Sequence, residues 1–313
     1  MAIAEPAAKR DRPEQTRARQ PDATGVVVRD DGGRVFWELY GHGDPPIVFV
    51  PPWQIVHSRV WKAQIPDFAR RHRVIAWDNR GNGRSDRPLD PEAHTTRARA
   101  ANLGAVMDAV GVPAAVLVGL SSASGPIVVF AAEQPDRVLG LVLVCPASPF
   151  GKPSHTGTVP FDEPLSREDG WNKDNSHYWN RDFEGYLEFF FGEAYPEPHS
   201  TKQRDDSVGY GLDTDAAALA ATRRARRTVD LEAFTTMCAS IRAPSLVIQG
   251  TDDRISDVTQ GAGLAAAIPG ARFELIAGGG HIVNARHPIR VNLLIRAFLR
   301  EAVASLGGRR AGA

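Results

Sequence analysis

The sequence predicts an α/β fold: a mostly parallel sheet flanked by helices, interrupted once by a mainly helical insertion. Three observations carry that prediction. Short apolar runs ("PPIVFVPP", "HRVIAWD", "PAAVLVGL", "VLGLVLVCP", "APSLVIQG") alternate with stretches whose apolar residues recur at helical spacing. Each run is apolar throughout, as strands covered on both faces are. The alternation stops near Ala147 and resumes after Ala233, with no clean strand between.

Taken in order, residues 1–24 mix Pro with many charges around no hydrophobic centre, and read as a disordered tail rather than a signal peptide. The first part of the core spans 25–146. It opens with "GVVVRD" and "GRVFWELYG", a β-hairpin, followed by a strand ending near Val50. "SRVWKAQIPDFARR" spaces Trp61, Ile65 and Phe68 as one helix, with Ser58 as N-cap. A strand "HRVIAWD", a helix through Leu103, Met107 and Val110, and the strand "PAAVLVGL" follow. "SASGPIVVFAAEQP" reads as a helix and "VLGLVLVCP" as a strand. Residues 147–233 form the insertion, punctuated by Pro and Gly and dense in aromatics such as Trp171, Trp179, Phe190 and Phe191. Residues 234–313 complete the core with "APSLVIQG", a helix over 257–268, the strand "ARFELIA" and a long final helix.

Composition limits the function. Lys+Arg and Asp+Glu both total 37, so there is no basic excess for a nucleic acid. "RRARR" at 223–227 reads as a solvated helix face, with an anionic-partner patch as the alternative. The two cysteines, Cys145 and Cys238, sit in apolar surroundings and give no disulfide framework. No apolar run reaches the roughly 18 residues of a membrane span. The default is a cytoplasmic protein without nucleic-acid or membrane partners, and a homodimer is compatible with the sequence. No His pair has zinc-ligand spacing, so neither metal nor cofactor is expected.

In a parallel sheet, function gathers at the carboxyl ends of the strands. One strand there ends in Gly119-Leu120-Ser121-Ser122-Ala123 and turns directly into a helix. Ser121 sits at the apex of that turn, flanked two residues away by Gly119 and Ala123. Taken alone it reads equally as an N-cap, while Ser122 and Ser124 read as capping or packing hydroxyls. A serine nucleophile needs a base and the base an orienting carboxylate. His281 follows "LIAGGG" after the last strand, and Asp252-Asp253 ends "LVIQGTDD". The first of such an Asp pair tends to make turn contacts, leaving Asp253 as the partner for His281. After Pro51-Pro52, which have no N–H, the first amide in that loop is Trp53. With the amide of Ser122 it supplies the two donors of an oxyanion hole.

These residues in this order resemble the α/β-hydrolase family, over nearly all of 25–305. "WDNRGNGRSDRP" (77–88) is similar to that family's D-x-R-G-x-G-x-S segment, a structural loop there. The resemblance implies Ser121 as nucleophile, Asp253 as acid, His281 as general base, Trp53 as oxyanion residue and 147–233 as the cap. The chain departs from the pattern in three places: Pro51-Pro52 for His-Gly, Ala123 for the second glycine, and Leu120 for a frequent polar residue. Ser rather than Asp at the apex argues against the dehalogenases and epoxide hydrolases of that family.

The expectation is therefore a serine hydrolase of carboxylic esters, lactones among them, with a small apolar or aromatic substrate bound by Trp53, Leu120, Trp179 and Phe190. C–C hydrolysis, thioester cleavage or acyl transfer by the same triad is a second reading. A non-catalytic hydrolase-like binding protein is a third.

Overall fold

In the computed structural model, residues 17–155, 158–225 and 229–310 are described, the side chains of 302–310 excepted. The strands are β1 Ala23–Val28, β2 Arg34–Tyr40, β3 Ile47–Val50, β4 Val74–Trp77, β5 Ala115–Leu120, β6 Val138–Val144, β7 Ser245–Gly250 and β8 Arg272–Ile276. They form one eight-stranded sheet in the order β1-β2-β4-β3-β5-β6-β7-β8. The β1–β2 and β2–β4 pairs are antiparallel, and every other pair is parallel. This is the expected α/β architecture.

The apolar strands are buried on both faces with period two. On β5, Val116, Val118 and Leu120 join one core cluster, with Phe49, Trp61, Ile248 and Phe298. Ala115 and Leu117 join the other, under Leu103, Met107 and Ile127 of the helices Thr96–Ala109 and Ser124–Glu133. The first cluster runs on without a break into Tyr178, Trp179, Tyr186, Phe190 and Phe191, so insertion and sheet share one core.

Between β6 and β7 the described residues hold helices and no strand. Three of those helices, Ser176–Arg181, Phe183–Ala194 and Ala216–Arg224, start where Asn175, Asp182 and Asp215 accept a first-turn amide. The helix Leu231–Ser240, capped by Asp230, runs across the expected boundary at 233/234. Its Phe234 and Cys238 belong to the cluster under the sheet, so the whole helix packs with the core.

Four local expectations change. The chain joins the fold before residue 25: β1 starts at Ala23, and Arg17 donates to Tyr40 Oη at 3.0 Å and pairs with the buried Glu38 at 2.7 Å. The rest of the expected tail, 1–16, lies outside the described residues. The helix expected through Trp61, Ile65 and Phe68 is split into a 3-10 turn, Ser58–Trp61, and a short α-helix, Ile65–Phe68. Pro66 lacks the N–H that a continuous helix needs there but fits a first turn. The cap of the turn is His57 rather than Ser58, whose amide donates to Asp78 Oδ1 at 3.0 Å. Within "RRARR", Arg223 is not a solvated side chain: it pairs with the fully buried Asp174 at 3.2 Å, while Arg224 pairs with Asp162 at 2.5 Å. Arg226 and Arg227 lie outside the described residues.

Candidate active site

Ser121 follows β5 directly and opens a 3-10 turn, Ser121–Ala123, that leads into the helix Ser124–Glu133. Its φ of 55° places it in the left-handed region, which a non-glycine residue occupies at a cost of about 1–3 kcal/mol. The reversal is steep enough to bring Ala123 back against Gly119. A Cβ on Gly119 would lie 2.8 Å from Ala123 Cβ and 2.3 Å from Ile127 Cδ1. The methyl of Ala123 is thus tolerated because Gly119 has none. Ala147 N donates to Ser121 O at 3.1 Å, and Ser124, fully packed, donates its hydroxyl to Ala147 O.

His281 and Asp253 meet from the loops after β8 and β7. Nδ1 of His281 lies 2.9 Å from Asp253 Oδ2, with both side chains almost wholly buried. Asp253 Oδ1 accepts the amides of Ile255 and Ser256, each at 2.8 Å, and Oδ2 also accepts Gln249 Nε2 at 2.9 Å. Such a carboxylate acts as an acceptor only, and through Oδ2 it fixes which imidazole nitrogen carries the proton. Asp252 is exposed, and among the described residues its carboxylate accepts only from Thr251 Oγ1, at 3.0 Å. The insertion holds the His281 loop as well. His281 N donates to Ala194 O at 2.9 Å, and Gly280 N to Glu197 Oε1 at 2.7 Å.

Ser121 and His281 line one cavity of about 830 Å³, together with Trp53, Leu120 and Phe190. Trp179 is absent from its lining and is only 1% exposed. It packs behind Trp53 (ring centroids 6.2 Å apart) and on Tyr186, so it supports the wall that Trp53 forms. Helical spacing could not tell which insertion aromatic reaches the cavity. Trp53 also bonds across to the insertion, Nε1 to Thr222 Oγ1, at 2.7 Å.

The loop 51–54 is held from behind. Asn79 Nδ2 donates to Pro52 O at 2.8 Å and Pro51 O at 3.3 Å, and Asn82 Nδ2 to Gln54 O at 2.7 Å. The D-x-R-G-x-G-x-S segment is therefore the buttress of that loop. Ser122 is the second residue of its helical turn, where an amide has no intrahelical acceptor.

Sequence reasoning missed Gln249, Glu197, Asn79 and Arg99, which donates to the Pro51 and Pro52 carbonyls as Asn79 does. Two of them carry a visible signal. Gln249 is the one polar side chain near the end of the apolar run "SLVIQG", and Arg99 shares the helical stripe of Leu103 and Met107.

Cys145, Asp253 and His281 are the one group of His, Cys, Asp and Glu among the described residues spaced to hold a metal ion. The fit is poor. Burial, reinforced by Asp253, pushes the Cys145 thiol well up from its ordinary range, and the other two ligand atoms are bonded to each other. Among the described residues, no helix is long and apolar enough to cross a membrane.

The turn makes a testable demand. Gly119→Ala should destabilise the fold by about 1–3 kcal/mol through overpacking and displace Ser121. Thermal unfolding checks the first, and a crystal structure of the variant checks the second: Ser121 should have left its φ of 55°.

Comparison with known proteins agrees with the fold. Residues 45–193 match the family model for the alpha/beta hydrolase fold. The chain is 31% identical over 294 residues to polyketide synthase ThaQ of Burkholderia thailandensis, an alignment covering 91% of this chain and 13% of that protein. It is 29% identical over 280 residues to a non-heme chloroperoxidase of Burkholderia pyrrocinia, covering 83% of this chain and 96% of that one. The crystal structure of the esterase RhEst1 from Rhodococcus sp. superposes with a TM-score of 0.74 at 25% identity, covering 88% of this chain and 98% of that chain. The sheet order, the strand-end turn at Ser121 and these matches together show the α/β-hydrolase fold.

Proposed function

We propose that this chain is a serine hydrolase of carboxylic esters, lactones included, with Ser121, His281 and Asp253 as its catalytic triad. The observation that carries the reading is a convergence from three separate strand ends. Ser121, held at a φ of 55°, faces the same cavity as a histidine whose Nδ1 is bound at 2.9 Å by a buried carboxylate.

In this reading Ser121 Oγ attacks the ester carbonyl while His281 Nε2 takes its proton. The amides of Trp53 and Ser122 receive the negative charge that develops on the carbonyl oxygen. His281 then returns the proton to the leaving alcohol, giving an acyl-enzyme on Ser121. Water deprotonated by His281 releases the acid and restores the serine. Asp253 holds the imidazole in the tautomer with its proton on Nδ1 and stabilises the imidazolium. Trp53, Leu120, Phe190 and Phe191 on the cavity wall favour an apolar acyl or alcohol group, and about 830 Å³ suits a small molecule.

A fluorophosphonate probe tests the nucleophile. Wild-type protein should be labelled at Ser121 and hydrolyse short or aromatic nitrophenyl esters, and Ser121→Ala should do neither. Equal labelling of the two would overturn the assignment. Asp253→Asn should lower turnover by about 10³–10⁴-fold, because an amide leaves His281 in the wrong tautomer. Asp252→Asn should leave turnover near wild type, and equal losses would mean that Asp253 is not the acid.

A further inference from the structure

Arg99 is a buried cation with no carboxylate partner among the described residues. It is 8% exposed and lies at the edge of the cavity, and burial pushes its guanidinium down to about 10, so it remains charged at neutral pH. A charge buried without a counter-ion is unfavourable unless its donors are well used. Its buried Nε has no partner among the described residues, and its two Nη groups go to the two segments that carry the oxyanion amides. Nη2 donates to Pro52 O at 3.1 Å and Pro51 O at 3.3 Å, and Nη1 to Ser122 Oγ at 3.3 Å.

We propose that Arg99 is a positioning residue of the oxyanion hole, pinning the Pro52 carbonyl so that the Trp53 amide faces the cavity. The proposal rests on the esterase reading above. Pro52 C=O and Trp53 N–H belong to one peptide unit, and Asp44-Pro45 is the one cis bond among the described residues. In a trans peptide the C=O and N–H point to opposite sides. Fixing the carbonyl from behind, with Asn79 as second donor, therefore fixes the direction of the amide. A charged donor on that carbonyl also polarises the peptide and strengthens its N–H. By reaching Ser122 as well, one rigid fork sets the separation of the two donor-bearing segments. The arrangement gives a role to the departure at Pro51-Pro52. Two prolines remove N–H groups from the loop, and the two carbonyls they leave are the acceptors that Arg99 and Asn79 use.

Arg99→Lys and Arg99→Met test this, with thermal unfolding measured alongside. A single ammonium cannot serve both carbonyls and the Ser122 hydroxyl, so both variants should lose about 100-fold in kcat, as when an oxyanion donor is removed. KM should stay within about threefold. A crystal structure of Arg99→Lys should have the Pro52–Trp53 peptide rotated out of the wild-type plane, a readout that needs no turnover. If Arg99→Met does not fold, Arg99→Lys decides. A folded variant with wild-type kcat, an unchanged peptide plane, or a parallel loss of kcat, KM and thermal stability would each overturn the inference. Wild-type protein that hydrolyses no ester and takes no fluorophosphonate would instead overturn the esterase reading, while the peptide plane still decides the role of Arg99.

Discussion

The left-handed backbone of Ser121, φ 55°, is the constraint on which the floor of the cavity depends. It turns the chain from β5 into a helix without an intervening loop, which lifts the serine side chain clear of the sheet. The same reversal forces Gly119 and Ala123 together, and so limits their combined side chains to one methyl group. It also leaves the Ser122 amide at a helical start, without an intrahelical acceptor. Strain at one residue is compensated by packing around it: Ala123 and Ile127 are fully buried, and the Ser121 carbonyl is bound by Ala147 N.

The second organising element is the chain of contacts that ends on His281. Gln249 and the amides of Ile255 and Ser256 satisfy Asp253, Asp253 orients the imidazole, and the insertion binds the loop through Ala194 O and Glu197. The helices between β6 and β7 thus do more than cover the cavity. They accept hydrogen bonds from the His281 loop, besides the Trp53–Thr222 bond across the opening. The insertion and the His281 loop are thus joined by one backbone and one side-chain hydrogen bond.

Much of this arrangement is legible in the sequence, for physical reasons. Strands buried on both faces are written as continuous apolar runs, so the sheet could be read directly. Their carboxyl ends locate Ser121, Asp253 and His281 without any long-range information, because each lies within five residues of a strand end. What could not be read depends on contacts between segments distant in the chain. Trp179 and Phe190 have the same residue class and similar spacing, and only tertiary packing puts one behind Trp53 and the other on the cavity wall. Arg17 looked like part of a charged tail, and its place in the fold is set by Glu38 and Tyr40, two strands away. Arg99 and Gln249 left a trace as lone polar residues on apolar stripes. Their partners, the Pro51-Pro52 carbonyls and Asp253, appear only when the chain is folded.

The most direct test of the account is the crystal structure of the protein after reaction with a fluorophosphonate. The account predicts phosphorus bonded to Ser121 Oγ, with the phosphonyl oxygen within hydrogen-bond distance of the Trp53 and Ser122 amides, and His281 still on Asp253. A phosphonyl oxygen turned away from both amides, or an adduct on Ser122 or Ser124, would contradict it.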